Sequence, residues 1–261
     1  MMNTTLAFQA LTNNLTKAVQ RTADAPQNAR DKEYYLENIG KIKTIDDFLA
    51  DDRIYRYAMK AFGLGDMTYA KGLMRKVLEG GVDESDSFAN KLSDSRYKEF
   101  ATAFNFARYG SATTAFDRVQ QPVVDKYVRQ TFEEEQGAQD DNLRLALYFQ
   151  RKAPTLTNAF QILADPALLK VVQTAIGLSS NSSSMPIDKQ AELIEAKVDF
   201  EKLKDPEELQ SFLTRFTSLT DVESSAASSA SAIVSLIQPS SSIGMSSDVL
   251  FSIQKLRLGG V

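Results

Sequence analysis

The sequence predicts an all-α protein, a helical repeat-like domain from a duplicated helix-pair unit with flexible helical termini. Two observations lead to this prediction. Apolar residues recur at helical spacing through most of the chain, and a helix-start motif occurs four times, in two matched pairs. Little in the 261 residues favours β-strands. Repetition at a long, fixed period is the usual signature of proteins that stack helical units.

The first matched pair of segments aligns without a gap. Phe48–Leu64 reads FLADDRIYRYAMKAFGL, and Ile162–Leu178 reads ILADPALLKVVQTAIGL. Both contain Leu-Ala-Asp near the start and end on Gly-Leu. A shorter echo follows each segment, LSDSRYKEFATAF at Leu92–Phe104 and LKDPEELQSFLTRF at Leu203–Phe216. We therefore expect the backbones of the two units to superpose, apart from their loops.

Each copy of the motif has an aspartate where its helix should begin. These aspartates are Asp51, Asp94, Asp165 and Asp205. Aspartate is a preferred N-cap residue because its side chain accepts hydrogen bonds from the first free backbone N–H groups. Pro166 and Pro206 suit the first helical position, and Gly63 and Gly177 suit the left-handed conformation that ends a helix. We interpret the four aspartates as caps, not as an acidic site.

Composition divides the chain into five parts. They are a flexible or helical N-terminal arm at 1–29, helical unit one at 30–121, linking helices at 122–160, helical unit two at 161–217, and a serine-rich tail with a terminal amphipathic helix at 218–261. Second helices are expected near Tyr69–Leu78 and Lys189–Val198. The linking stretch Pro122–Arg151 should break between Gly137 and Asn142. The tail should be the most mobile region, because its apolar residues are sparse.

Composition also argues against catalysis and against several partners. The chain has no cysteine, histidine or tryptophan, which excludes disulfides, histidine-containing zinc sites and Ser-His-Asp triads. A net charge of −4 gives no basic field for nucleic acid. The N-terminus lacks the pattern of a cleavable signal, and no apolar run is long enough to insert into a membrane.

Three further patterns have simpler interpretations than a site. Glu133–Glu135 with Asp140 and Asp141 contains enough oxygens for a hard cation, but consecutive acids indicate a solvated helix face. Ser95 and Lys98 fit the Ser-x-x-Lys pattern of serine acylases, although the partner motifs of those enzymes are missing. Arg144, Arg151 and Lys152 with nearby tyrosines are too few to stack on nucleic acid.

The aromatic residues at helical spacing are predicted to form core, not a ligand pocket. They are Tyr55, Tyr57, Phe62, Phe100, Phe104, Tyr148 and Phe149. The sequence thus assigns no catalytic, cofactor-binding or metal-ligating residue and no cofactor.

Three stretches together resemble an uncharacterised alphaproteobacterial family, a domain of unknown function encoded in flagellar gene clusters. They read DKEYYLENIGKIKTIDDFLADDRIYRYAMKAFGL, SFANKLSDSRYKEFATAF and YVRQTFEEEQGAQDDNLRLALYFQRKAPTLTNAFQILADPAL. LALYFQRKAP is the most specific part. The resemblance implies a flagellum-associated protein, in the basal body or exported without a cleavable signal, and carries over no catalytic residue.

Three functions follow as expectations. The first is a non-enzymatic structural or assembly protein of the flagellum, with other flagellar or export proteins as partners and self-association through the termini. The second is a cytoplasmic adaptor or export chaperone that receives partner helices in a groove. The third is an enzyme that acts through carboxylates and lysine alone, which a buried carboxylate pair in a cleft would favour.

Overall fold

The computed structural model describes residues 3–178, 182 and 184–237. Within that part of the chain the secondary structure is helical, with no strand, which confirms the predicted all-α class. The α-helices are α1 (Thr4–Thr12), α2 (Leu15–Asp24), α3 (Pro26–Ile39), α4 (Ile45–Ala50), α5 (Asp52–Ala61), α6 (Lys71–Gly80), α7 (Phe88–Lys91), α8 (Ser95–Ala103), α9 (Phe106–Tyr109), α10 (Gln121–Gly137), α11 (Asp141–Lys152), α12 (Ala159–Leu163), α13 (Pro166–Ile176), α14 (Ile187–Glu195) and α15 (Pro206–Ile237). None of these described helices has a stretch both long and apolar enough to cross a membrane.

The helices enclose two apolar cores within a compact unit that ends at Thr220. The first core runs from Tyr35 to Val128 along the chain and is built mainly from α3 to α8 and the start of α10. The second core contains Phe8 from α1, Phe132 from α10 and the apolar faces of α11 to α15 up to Phe216. The predicted aromatic core is confirmed at six of its positions, and Tyr148 packs against the second core while half-buried.

Helix α10 joins the two cores. Its first half supplies Val124, Tyr127 and Val128 to the first core, and Phe132 one turn later enters the second. The predicted break after this helix is confirmed, since α10 ends at Gly137 and Asp140 caps α11 by accepting from the backbone N–H of Asn142 at 2.9 Å. The short break between α10 and α11 therefore allows these two helices to pack side by side.

The four predicted caps are confirmed. Asp51 Oδ1 accepts from the N–H groups of residues 53 and 54, and Asp165 Oδ1 from those of residues 167 and 168. Asp205 caps α15 in the same way, and Asp94 caps α8 by accepting from the N–H of Arg96. Gly63 and Gly177 have φ values of 71° and 68°, the left-handed region that glycine occupies without a steric penalty.

The two main caps share a further contact that the sequence motif does not contain. Tyr34 donates its hydroxyl to Asp51 Oδ2 at 3.0 Å, and Tyr148 donates to Asp165 Oδ2 at 2.6 Å; in each pair the residues are 17 positions apart. Each tyrosine comes from the helix two before the capped one, α3 for α5 and α11 for α13. That the backbones of the two units superpose remains a prediction. The two matched tyrosine–aspartate contacts are the first positions to compare in such a superposition.

Replacing Asp51 or Asp165 with alanine should lower the free energy of unfolding by about 1–2 kcal/mol. This is the upper part of the range measured for the loss of an N-cap residue, because a tyrosine hydroxyl also loses its acceptor. The double variant should be additive within about 0.5 kcal/mol, since the caps serve different cores. Urea unfolding measures the stability loss of each single variant and of the double variant. Asp86→Ala, in an exposed ion pair at 3.8 Å, is the control and should change little. Unchanged stability in the cap variants would contradict the capping role.

The segment predicted as a serine-rich tail begins within a helix. The compact unit ends at Thr220, and α15 continues to Ile237. The stretch after Pro206 contains no further proline or glycine up to residue 237, and its alanines are strong helix formers, so nothing local ends the helix. The predicted amphipathic helix near Asp248–Gly260 lies outside the described residues.

Candidate functional site: a charged cleft between the two cores

A cleft of about 470 Å³ opens where the two cores meet. We call it the junction cleft. Its walls are the end of α5, the start of α8, the middle of α10, one face of α11 and the start of α13. Five basic and four acidic side chains line it: Arg96, Lys126, Arg144, Arg151, Lys152, Asp94, Glu99, Glu133 and Asp165.

Glu133 forms the buried floor of the junction cleft. Its side chain is 1% exposed and accepts from Arg129 Nε at 2.7 Å and from Arg151 Nε and Nη2 at 2.9 and 2.7 Å. Arg129 and Arg151 also donate to the Leu147 carbonyl and the Gln130 side chain. Burial alone would lower the pKa of Arg151, but the contact with Glu133 outweighs it and raises that pKa. Two guanidiniums on one carboxylate thus leave a positive charge at the floor.

This arrangement corrects one sequence prediction. Glu133–Glu135 was expected to be a solvated acidic face, and that is wrong for Glu133. Successive residues of a helix point about 100° apart, so Glu134 and Glu135 are exposed while Glu133 turns inward. Among the described residues, no group of three or more carboxylates converges in a way that would hold a metal ion.

A second charged group lies on the wall of the cleft around Glu99. Lys152 Nζ donates to Glu99 Oε1, and Lys126 Nζ lies 3.9 Å from Glu99 Oε2 and 5.0 Å from the centre of the Phe62 ring. Burial lowers the pKa of Lys126, and the nearby charges of Lys152 and Arg151 lower it further, while Glu99 acts in the opposite direction. One carboxylate therefore serves two half-buried ammonium groups.

The rim is fixed by the capping aspartates. Asp94 holds the Arg96 guanidinium through contacts of 2.8–3.1 Å, and Arg96 Nη1 donates to the carbonyl of Gly63, which ties the start of α8 to the end of α5. Burial acts to raise the pKa of Asp94, but the hydrogen bonds and charge of Arg96 keep it below its usual value. On the other side, burial and the charge and hydrogen bond of Asp165 raise the pKa of Tyr148 well above its usual range.

The candidate residues named from sequence fall in different places. Ser95 lines the cleft at the start of α8, while Lys98 is exposed on the same helix. Arg144, Arg151 and Lys152, dismissed as too few for nucleic acid, all line the cleft. The sequence did not predict the cleft. Of the ion pairs around Glu133 and Glu99, only Arg129–Glu133 has the four-residue spacing that indicates an ion pair on a helix. The absence of catalytic, cofactor and metal residues stays a prediction.

Comparison with known proteins gives two matches. The model of a family described as "Protein of unknown function (DUF1217)" matches residues 61–209. The chain is also similar to the X-ray crystal structure of a protein from Agrobacterium tumefaciens, with 43% identity, a TM-score of 0.78, and coverage of 85% of this chain and 96% of that one. No curated protein matches the sequence.

Proposed function

Given that this chain belongs to the DUF1217 family of proteins of unknown function, we propose that it is a non-enzymatic structural or assembly protein of the bacterial flagellum. In this proposal it acts by binding other flagellar or export proteins, and its place is the basal body or the exported part of the flagellum.

The junction cleft is the observation that supports a binding role. Sites for small molecules are mostly apolar, with a few polar groups that orient the ligand. The junction cleft instead presents nine charged side chains, and ion pairs across helices α8, α10 and α11 hold several of them, including Glu133 with Arg151 and Glu99 with Lys152. Fixed charges of both signs on rigid helices give specificity for a complementary protein surface.

The flagellar part of the proposal rests on the sequence resemblance. The stretch that carries it most specifically, LALYFQRKAP at Leu145–Pro154, lies on α11 and the turn after it. That stretch supplies Tyr148, Arg151 and Lys152 to the junction cleft. The residues that identify the family in sequence and those that line the cleft are therefore partly the same, which favours the cleft as the place where a shared partner binds.

A cytoplasmic adaptor or export chaperone is the second candidate. The open cleft favours it, because a groove between helices is where such proteins receive a partner's helix. Fractionation of motile cells separates the two roles. A structural protein should sediment with basal bodies or appear outside the cell, and an adaptor should remain in the cytoplasm with its client.

Deleting the gene should reduce swimming in soft agar to a small fraction of the wild-type rate and leave growth in liquid culture unchanged. Complementation with the intact gene is the control. Counting filaments by electron microscopy then tells whether assembly or rotation is affected. Normal swimming by the deletion strain would remove the flagellar assignment.

Lys126→Met should impair complementation without unfolding the protein. The ammonium of Lys126 is half-buried and lies 3.9 Å from the carboxylate of Glu99, so methionine keeps the contact with Phe62 and removes a charge available to a partner. Lys189→Met is the matched control, because Lys189 pairs with Glu192 on the exposed face of α14. Equal swimming by the two variants, with equal melting temperatures, would mean that the charge of the junction cleft is not used for binding.

A further inference from the structure

We propose that Lys126 is a modification site: a reactive amine of the junction cleft that accepts the acyl group of small anionic acyl donors, the class represented by acyl phosphates. Lys126 belongs to α10 and lines the cleft together with residues of α5, α8 and α11. Its side chain is 42% exposed, so a small reagent can contact the nitrogen. The proposal goes beyond the proposed function, and its test does not depend on that function.

Within the described part of the chain, the side-chain nitrogen of Lys126 makes no hydrogen bond. Its carboxylate contact there is with Glu99 Oε2 at 3.9 Å, whereas hydrogen bonds from nitrogen to oxygen are about 2.7–3.2 Å long. The other oxygen of Glu99 accepts from Lys152 Nζ. Lys152 is therefore the ammonium that this carboxylate holds, and the nitrogen of Lys126 remains available to a reagent in the cleft.

The surroundings of Lys126 favour the neutral amine. Burial lowers the pKa of Lys126, Glu99 acts in the opposite direction, and the positive charges of Lys152 and Arg151 lower the pKa further. Proteins activate a lysine amine by removing it from water or by placing it next to another cation, and Lys126 meets both conditions. Because only the neutral amine has a lone pair with which to attack a carbonyl carbon, a larger fraction of Lys126 is reactive near neutral pH than of an exposed lysine.

The charges around Lys126 indicate the class of acyl donor. Glu133 accepts from two guanidinium groups, and Glu99 lies between the ammonium groups of Lys126 and Lys152. Four cations thus surround two carboxylates, which attracts an anionic donor and stabilises the negative charge that develops on a leaving phosphate. An acyl phosphate has such a leaving group, and a neutral ester gains less from these charges.

The reaction is an acyl transfer in which nothing is oxidised or reduced. The ammonium of Lys126 first releases one proton to water. The neutral nitrogen then attacks the carbonyl carbon of the acyl phosphate, a C–N bond forms, and the C–O bond to the phosphate breaks. The electron pair of that bond leaves with the phosphate, which also takes the second proton of the nitrogen. The product is a neutral amide.

Acylation therefore removes a positive charge from the junction cleft, as Lys126→Met does. A loss of partner binding as a consequence of acylation rests on the proposed function, whereas the reactivity of Lys126 does not. Failure of the two ideas is distinguishable, because the reactivity is measured on the isolated protein and the proposed function is measured by swimming.

The test is to incubate the full chain with acetyl phosphate and to map the acetylated lysines over time by mass spectrometry. Lys126 should react several times faster than Lys98, which is exposed on α8, and than Lys189, whose pKa is raised by its hydrogen bond with Glu192. In guanidinium chloride the three lysines should react at similar rates, because the selectivity comes from the fold. If Lys126 reacts no faster than the two controls in the folded protein, or keeps its lead in the unfolded chain, the proposal is wrong.

Lys152→Met tests the electrostatic cause of the reactivity. This change removes a neighbouring positive charge and frees Glu99 to pair with Lys126, so acetylation of Lys126 should slow severalfold while that of Lys189 stays the same. Lys204→Met is the matched control, because Lys204 pairs with Glu201 on the surface, and it should leave the rate at Lys126 unchanged. Equal or faster acetylation of Lys126 in the Lys152→Met protein would overturn the proposal.

A neutral donor tests the preference for an anion. With p-nitrophenyl acetate, the lead of Lys126 over Lys98 should be smaller than with acetyl phosphate. An equal or larger lead would contradict the anionic donor class. The comparison of the two donors and of the three lysines uses the unmodified sequence, so it holds whether or not Lys152→Met folds.

Discussion

Glu133→Ala should lower the free energy of unfolding by about 3–5 kcal/mol, the usual loss when one partner of a buried ion pair is removed. Glu133 is 1% exposed and is the shared acceptor of Arg129 and Arg151. Without it, two guanidinium groups remain at the floor of the junction cleft with no carboxylate between them. A loss of this size is a large share of the total stability of a typical domain.

Urea unfolding followed by circular dichroism measures this loss by linear extrapolation. Glu134→Ala is the control, because Glu134 is the next residue of α10 but is exposed, with contacts of 3.1 Å to Lys60 Nζ and to Gln130 Nε2. That variant should lose less than about 1 kcal/mol. Similar losses in the two variants would mean that the ion-pair network does not hold the two cores together.

Phe48→Ala should lower the free energy of unfolding by about 3–5 kcal/mol through the cavity it leaves. The Phe48 ring is fully buried and contacts four other aromatic rings: Tyr55, Phe100, Phe104 and Phe106, with centres 5.0–6.1 Å away. Phe48 lies on α4, and these rings come from α5, from α8 and the residue after it, and from α9, so the cavity would lie where several helices meet. The first core should then unfold at lower urea than the second.

Phe160→Ala is the matched control for this prediction. Phe160 is 49% exposed on α12, so its removal should change stability by less than about 1 kcal/mol. Phe48→Leu should recover part of the loss, since leucine refills most of the cavity. A Phe48→Ala protein as stable as the wild type would show that the aromatic cluster rearranges to fill the space.

Local features of the fold were predictable from sequence. The caps at Asp51 and Asp165 and the helix ends at Gly63 and Gly177 follow from rules that involve only near neighbours along the chain. The aromatic core followed from helical periodicity. The end of α15 was not predicted, because the sparse apolar residues after residue 218 indicated only a serine-rich tail, whereas α15 continues to Ile237.

The candidate sites were not predictable, because they depend on contacts between distant segments. Glu133 contacts Arg151 only after α10 and α11 pack side by side. Nothing in the sequence distinguishes these two residues from charged residues that stay in solvent. The hydroxyl of Tyr34 on α3 contacts Asp51, which caps α5. The ring of Tyr57 on α5 is stacked between Tyr35 on α3 and Tyr127 on α10, and no spacing rule brings three helices together. Such sites require tertiary structure.

The stacked rings of Tyr35, Tyr57 and Tyr127 also give the protein an intrinsic spectroscopic reporter. The chain has no tryptophan, so its near-ultraviolet circular dichroism comes chiefly from its nine tyrosines, of which Tyr148 alone follows Tyr127. Electronic coupling between rings as close as 3.8 Å is sensitive to their relative angle. The near-ultraviolet signal therefore follows the first core, while the far-ultraviolet signal follows all the helices. Comparing the two bands during unfolding reveals whether the two cores melt together or in succession, without any added label.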